Sequence, residues 1–425
     1  MAVLDCVGVR DKEVSSGGAY GEDCSLPRHL KSIELFAGAG GLSVGVARAG
    51  FKHLAVVEYN PHACSTLRAN KDRKVSFIRD WPIIEADVRT LDFRPFDGQV
   101  DLLAGGPPCQ PFSLGGKHRG NKDSRDLFPE LIRAVRECRP KVILVENVKG
   151  LLRKAFAEYF EYILARLESP DCVQKADETW FEHLGRLKKA PALYSQDLGY
   201  NLTYRCVNTA DYGAAQKRWR VIILGVRKDL NRMPEFPRAS CSEDALLWDK
   251  WVSGAYWERH GISKRGRGLP DERTRRRAEI LKSSLFCPPT DPWRTVRDAL
   301  MGLPDPEFHP KEAARFLNHT HNPGARAYPG HTGSLLDEPA KALKAGDHGV
   351  PGGENMLVRL DGSIRYFTVR ESARLQDFAD DFFFPGSWTN VMRQLGNAVP
   401  SRVGQVMAAS LERILRESGG RAVGV

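Results

Sequence analysis

The chain has 425 residues, 42 % of them hydrophobic, and a formal net charge of +10, which is material for roughly two globular domains and a charge balance that suits a polyanionic partner. No apolar run approaches the roughly 18 residues of a membrane span and no apolar signal segment is present, so a membrane or secreted protein is not expected and a cytoplasmic one is. Nine cysteines at wide, irregular spacing, with no CxxC pair, argue against a disulfide framework and a zinc site, leaving free thiols and no metal as the expectation.

Residues 1–31 carry no apolar periodicity and are expected to form a mobile leader. Short apolar, β-rich runs then recur at 32–38, 54–60, 100–106, 141–147, 202–208 and 220–226. Helical patterns separate several of them, with Leu42, Val46 and Ala49 on one stripe and Leu127, Leu131, Ile132 and Val135 on another. Runs that suit burial on both faces, alternating with helices, predict an α/β fold with a doubly wound, mostly parallel sheet. In such a sheet ligands bind at the carboxyl ends of the strands. Residues 32–230 form this first domain. From 231 to 365 the texture turns irregular, with tryptophans, a basic run from Lys264 to Arg277 and a Gly/Pro-rich stretch, and this is read as a second, smaller domain. Residues 366–425 regain regularity, and the stripe Val403, Val406, Met407, Leu411 and Ile414 marks an amphipathic helix expected to pack back on the first domain.

The residues suited to chemistry fall at the predicted strand ends. "ELFAGAGGLS", Glu34 to Ser43, is a glycine-rich strand-to-helix turn whose Gly38, Gly40 and Gly41 allow a ligand close to the backbone. Ser43 replaces the third glycine of GxGxxG, which disfavours a pyrophosphate dinucleotide, and a tight strand-to-helix turn is the plainer reading of these glycines alone. Glu58 ends the next strand, where an acidic side chain suits ribose hydroxyls, and Asp87 could accept an adenine amino group; a surface carboxylate is the plainer reading of each alone. Cys109 stands in "LAGGPPCQPFSLGGK", after two prolines and ahead of Gly115 and Gly116, a setting for neither a strand nor a helix. As a nucleophile it needs a depressed pKa. Glu146 and Asn147 close the 141–147 run beside it, and a desolvated carboxyl there can donate a proton or hydrogen bond. Arg218 and Arg220, in "QKRWR", are placed on one face of an incipient strand, suited to phosphate or a base oxygen. A solvated basic edge is the plainer reading of that pair.

These segments, "FAGAGG", "VVEYN", "ADV", "GGPPCQPFS", "ENVKG", "DYGAAQKRWR", "RESARLQDF" and "QLGNAVPSRVG", resemble in order and over about residues 32–405 the DNA cytosine-5 methyltransferases of the bacterial restriction-modification type. The resemblance implies a Rossmann-like catalytic domain that uses S-adenosylmethionine and yields S-adenosylhomocysteine without a metal, and a target-recognition domain at 231–365. It matches Phe36, Ala37, Gly38, Gly40 and Gly41 to the cofactor loop, Glu58 and Tyr59 to the ribose contact, and Asp87 and Val88 to the adenine contact. Pro108, and Asn397 and Ala398 beside Gln394, complete the cofactor side. Cys109 matches the nucleophile, Glu146 the carboxyl at the cytosine N3 edge, and Arg218 and Arg220 the bracing arginines. Gln110, Ser113, Gly115, Asn147, Val148 and Gln216 fall to DNA or base contacts.

The implied chemistry is addition of a thiolate to C6 of cytosine, which makes C5 nucleophilic, methyl transfer, and loss of the C5 proton with release of the thiol. A stacked target base must first be flipped out. The implied partner is double-stranded DNA, bound by a monomer in the bacterial nucleoid, with a genetically linked restriction endonuclease and no membrane. The basic run Lys264–Arg277 is expected to contact phosphate. The extra length between Glu146 and Gln216 is read as added helix of no assigned role. The alternatives are a tRNA cytosine-5 methyltransferase, disfavoured by the lack of a Cys-Phe-Thr tripeptide, and a non-catalytic DNA-binding protein on the same fold.

Overall fold

Strands β1 (Leu30–Leu35), β2 (Phe51–Glu58), β3 (Ile83–Glu85), β4 (Leu102–Gly105), β5 (Val142–Val148), β6 (Tyr200–Asn208) and β8 (Trp219–Arg227) form one seven-stranded sheet, ordered β3-β2-β1-β4-β5-β8-β6. Strand β7 (Gln216–Lys217) lies outside it and pairs with Ala340–Lys341. Every residue of β4 and all but the last of β5 are buried, as expected of strands covered on both faces. Alternate residues serve two cores. Ile33, Leu35, Leu103, Ile143 and Val145 pack with helices α3 (Phe128–Cys138) and α4 (Ala157–Glu168). Leu102, Ala104, Leu144, Ile222 and Leu224 pack with the helix Gly41–Arg48, α1, and with a long helix from late in the chain, Ser401–Gly419.

The computed structural model describes residues 29–108, 126–189, 198–284, 286–328, 332–345 and 355–419. The expected leader, apart from its final residues, therefore lies outside the described residues, as do Cys109, Gln110, Ser113 and Gly115.

All six apolar runs are strands, and the sheet is parallel except at β8, which is antiparallel to both β5 and β6. This corrects the expectation that every chemical motif stands at a strand's carboxyl end: Arg220 reaches that edge from the amino-terminal end of a reversed strand. Strand order turns around between β1 and β4, and a crevice opens there above the carboxyl ends.

The further helices, in chain order, are α2 (Pro61–Asp72), α5 (Trp180–Lys189), α6 (Glu243–Leu247), α7 (Ala255–Arg259), α8 (Glu272–Ser283), α9 (Val296–Leu300), α10 (Pro310–Ala313), α11 (Val369–Leu375), α12 (Trp388–Asn397) and α13 (Ser401–Gly419). The segment between Glu146 and Gln216 holds α4 and α5, and its Phe160, Ile163, Leu184 and Leu187 extend the first core; α4 is ordinary sheet-covering packing beside α3. The basic run ends in α8, of which only Leu281 is buried. Its charge is partly spent locally, because Arg275 and Arg276 pair with Glu272 and Arg277 pairs with Asp244.

Helices α1 and α13 touch backbone to backbone. A Cβ on Gly45 would meet the Ser401 carbonyl and the Gln405 amide, and one on Gly404 would meet Leu42. Helix α11 opens with a capping box in which Thr368 and Glu371 satisfy each other's backbone N–H. Its Arg370, wholly buried, binds the carbonyls of Leu317, Ala379 and Phe382 and so ties three passing segments together.

Candidate active site

The crevice is a cavity of about 1330 Å³. One wall is the turn between β1 and α1. Phe36 there takes φ +60°, a left-handed conformation that costs a bulky residue roughly 1–2 kcal/mol. Glu58 at the end of β2 holds the turn in place: its Oε2 accepts the Gly38 N–H at 2.7 Å and its Oε1 accepts those of Tyr59 and Asn60 at 2.9 and 2.7 Å. A Cβ added to Gly38 would meet nothing within 4 Å, so this backbone borders open space. Gly40 faces the other way: a Cβ there would lie 2.9 Å from Leu67 and 3.3 Å from Trp81. It shapes and packs the turn, with φ +87°, and does not line the cavity, contrary to its assignment to a cofactor contact.

Asp87 follows β3, and both its oxygens are gripped by Arg89, which with the Arg89 N–H holds the carboxyl below its ordinary range. It therefore stays ionised. Helix α12 closes this side with Asn397 and Ala398 on the lining, and with Gln394, whose Oε1 accepts from Thr66 at 2.8 Å while its Nε2 has no hydrogen-bond partner.

The opposite wall is built from β4, β5 and β8. Glu146 on β5 is buried, and its Oε1 lies 2.5 Å from Arg220 Nε. Burial raises the Glu146 pKa, against the pull of Arg220 and then Arg218. A Cβ on Gly106 would lie 2.9 Å from Glu146 Oε2, so only glycine lets the chain leaving β4 pass the carboxyl this closely. Asn147 Nδ2 donates to the Pro107 carbonyl at 3.1 Å and pins the same passage. Pro108, the residue before Cys109, borders the cavity.

Neither arginine forms a solvated edge, since Arg218 and Arg220 are 3 % and 9 % exposed. Arg218 donates to the carbonyls of Leu343, at 2.7 Å, and Gly396, and so fastens β8 to two distant segments. Burial and the neighbouring Arg220 lower its pKa well below the ordinary value. Gln216, assigned to a base contact, is wholly buried and off the lining; its Oε1 accepts the Leu343 N–H at 3.2 Å.

Phe36, Ala37, Gly38, Gly41, Glu58, Tyr59, Asp87, Val88, Pro108, Glu146, Asn147, Val148, Arg218, Arg220, Asn397 and Ala398 are thus brought to one cavity. Residues that sequence reasoning gave no role also line it. Glu34 is buried on β1, with Ser43 Oγ donating to Oε1 at 2.7 Å and no partner at Oε2. Lys149, Leu152, Arg153 and Trp219 stand at the β5/β8 end. For Glu34, Lys149 and Trp219 a place in the quoted segments was the only signal, and it carries no chemistry by itself; Leu152 and Arg153 had none.

A doubly wound, mostly parallel sheet with a glycine turn, a strand-end carboxylate and a second, polar wall is the architecture of the Rossmann-like methyltransferase fold. A solved chain described as a DNA modification methyltransferase of an Escherichia coli prophage shares it, with a TM-score of 0.56 at 22 % identity over 91 % of this chain and 99 % of that one. The sequence pattern of C-5 cytosine-specific DNA methylases matches residues 30–171, 186–259 and 321–413, and the chain belongs to that family. It is 32 % identical to the Type II methyltransferase M.PspPI of Psychrobacter over 91 % of this chain and 80 % of that protein. To M.NgoMIV of Neisseria gonorrhoeae it is 30 % identical, over 91 % and 98 %. The protein is a DNA cytosine-5 methyltransferase, of a family that uses S-adenosylmethionine. Among the described residues no helix is long and apolar enough to cross a membrane.

Proposed function

We propose that this enzyme methylates C5 of a cytosine within a short specific sequence of duplex DNA, with Cys109 as nucleophile and the target base flipped into the cavity. It acts as a monomer on DNA and protects its host's sites against a linked restriction endonuclease; the Type II names of its relatives support the restriction-modification part of the reading. The observation that carries the chemistry is the buried Glu146–Arg220 pair, tied through Gly106 and Asn147 to the backbone that leads into Cys109.

S-adenosylmethionine, when bound, supplies an electrophilic methyl group. The residues fit it: open space beside Gly38, the Phe36 ring at the turn, the Glu58 and Asp87 carboxylates, and Asn397 opposite would hold its amino-acid, ribose and adenine parts. Glu146 holds the N3 edge of the cytosine. Burial strengthens its hold on a proton, so it can share that proton with N3 as thiolate addition at C6 drives negative charge into the ring. Arg220 keeps the Glu146 carboxyl aimed. Arg218 is a positioning residue that holds the wall behind it. Once C5 carries the methyl group, a base, water in the simplest case, takes the C5 proton, the C5–C6 double bond re-forms and the C6–S bond breaks to release the Cys109 thiolate. A few kcal/mol are needed to unstack the base, and contacts to the strand around it must offset them.

The test is methylation mapping of DNA from a methylation-free bacterial host that expresses wild type or Cys109→Ala. We expect 5-methylcytosine at one recurring short sequence with wild type and none with Cys109→Ala. Methylation that persists in Cys109→Ala, or that appears in tRNA and not in DNA, would overturn the reading.

A further inference from the structure

Strands β5 and β8 run antiparallel, with Val148 opposite Arg220. One step further toward the cavity mouth the two chains present Lys149 and Trp219, and the Lys149 ammonium stands 5.0 Å from the centre of the indole ring. Between two buried arginines, Trp219 leaves 47 % of its surface in water, and Leu152 beside this end of the cavity is also exposed. Exposed indole surface forgoes about 25 cal/mol for each Å² of apolar area left uncovered. Lys149 is exposed and Arg153 half-buried, and among the described residues neither side chain is paired with a carboxylate. All four residues line the same cavity as Glu146.

We propose that Trp219, Lys149 and Arg153 form the seat for the sugar-phosphate backbone of the strand from which the target base is extruded. The inference rests on the reading that a cytosine is drawn against Glu146, and it adds what holds the rest of the nucleotide. Lys149 lies three residues beyond Glu146, roughly 10 Å of extended chain, which is the reach of a nucleotide from its base edge to its phosphate. A base edge at Glu146 therefore leaves sugar and phosphate at the level of the indole and the two cations. The indole offers a flat apolar face to a sugar or a neighbouring base, and the cations offer charge to phosphates. Two cations with no acidic partner among the described residues fit a polyanion, whereas a neutral or basic surface would not neutralise them.

The experiment uses the full chain and a duplex carrying the sequence that methylation mapping yields. DNA affinity is measured against salt concentration, with single-turnover methylation rates and S-adenosylhomocysteine affinity, for wild type, Lys149→Gln, Arg153→Gln, Trp219→Leu and Trp219→Phe. Each cation variant is expected to reduce the slope of log affinity against log salt by about 1. Trp219→Leu is expected to slow methylation about tenfold or more with an unchanged slope, and Trp219→Phe to restore most of the rate. Cofactor affinity stays at the wild-type value throughout, which separates this role from a merely structural one. Variants that bind S-adenosylhomocysteine normally and keep wild-type slopes and rates would overturn the inference while the methylation reading stands. A wild type that leaves DNA unmethylated would remove that reading, and the inference with it.

Discussion

Glu34 has one oxygen bound by Ser43 and one bare, and burial pushes its pKa from 4.5 up to about 8. The folded chain thus carries a proton there at neutral pH that the unfolded chain releases. Between those two values the native state binds more protons than the unfolded one, so this contribution to stability is complete below pH 4.5 and is lost as the pH rises through about 8. The loss approaches about 1.4 kcal/mol per pH unit. Glu34→Gln, which imitates the protonated form, is expected to flatten the fall in stability between pH 5 and 8 when the cofactor-free protein is unfolded in urea. An unchanged slope would mean that Glu34 is ionised in the fold. The stretch from Glu34 to Ser43 was legible as a tight strand-to-helix turn from its glycines, and as a ligand turn only through the ordered series of segments that follows it. The division of labour inside it was not, since Gly40 faces Leu67 and Trp81 from α2 and its following loop. Arg218 was equally opaque: its acceptors lie 125 and 178 residues away, and no local pattern announces them.

At the level of elements, α1 and α13 approach closely only because Gly45 and Gly404 expose backbone at the contact. Adding a methyl group at Gly45 forces the two helices apart, and overpacking of this kind costs typically 1–3 kcal/mol. Gly45→Ala is therefore expected to lower the stability measured by denaturant titration by about that amount, although alanine is the better helix former. A gain in stability would show that the contact can give. Six of the sheet strands and helices α1, α3 and α13 were readable from their periods, whereas the helices of residues 243–313 and the Thr368–Glu371 capping box of α11 were not read. The reversal of β8 was readable too, had the loop been counted: only ten residues, 209–218, separate β6 from β8, too few for a parallel crossover.

Across the whole molecule, the cavity gathers β1, β2, β5, β8 and α12, so whatever fills it braces the entire sheet edge. S-adenosylhomocysteine at about 100 times its Kd is expected to add about 2.7 kcal/mol to the unfolding free energy, read as a rise in melting temperature. No rise at saturating ligand would contradict the assignment of this cavity to the cofactor. The family-wide scaffold was legible because its segments recur in order. The paths by which residues 260–320, unmatched by the family pattern, meet the rest were not, because irregular chain carries no period to read.

The contact between α1 and α13 also sets a schedule. A ribosome delivers α1 early, and the partner that covers it, Val399 to Met407, more than 350 residues afterwards. At about 10 residues per second that interval is roughly half a minute. Throughout it the side of α1 that meets α13 waits uncovered and one wall of the cavity does not yet exist. The wall of the cavity that α12, Ala398 and Val399 supply is therefore the last part of it to be put in place.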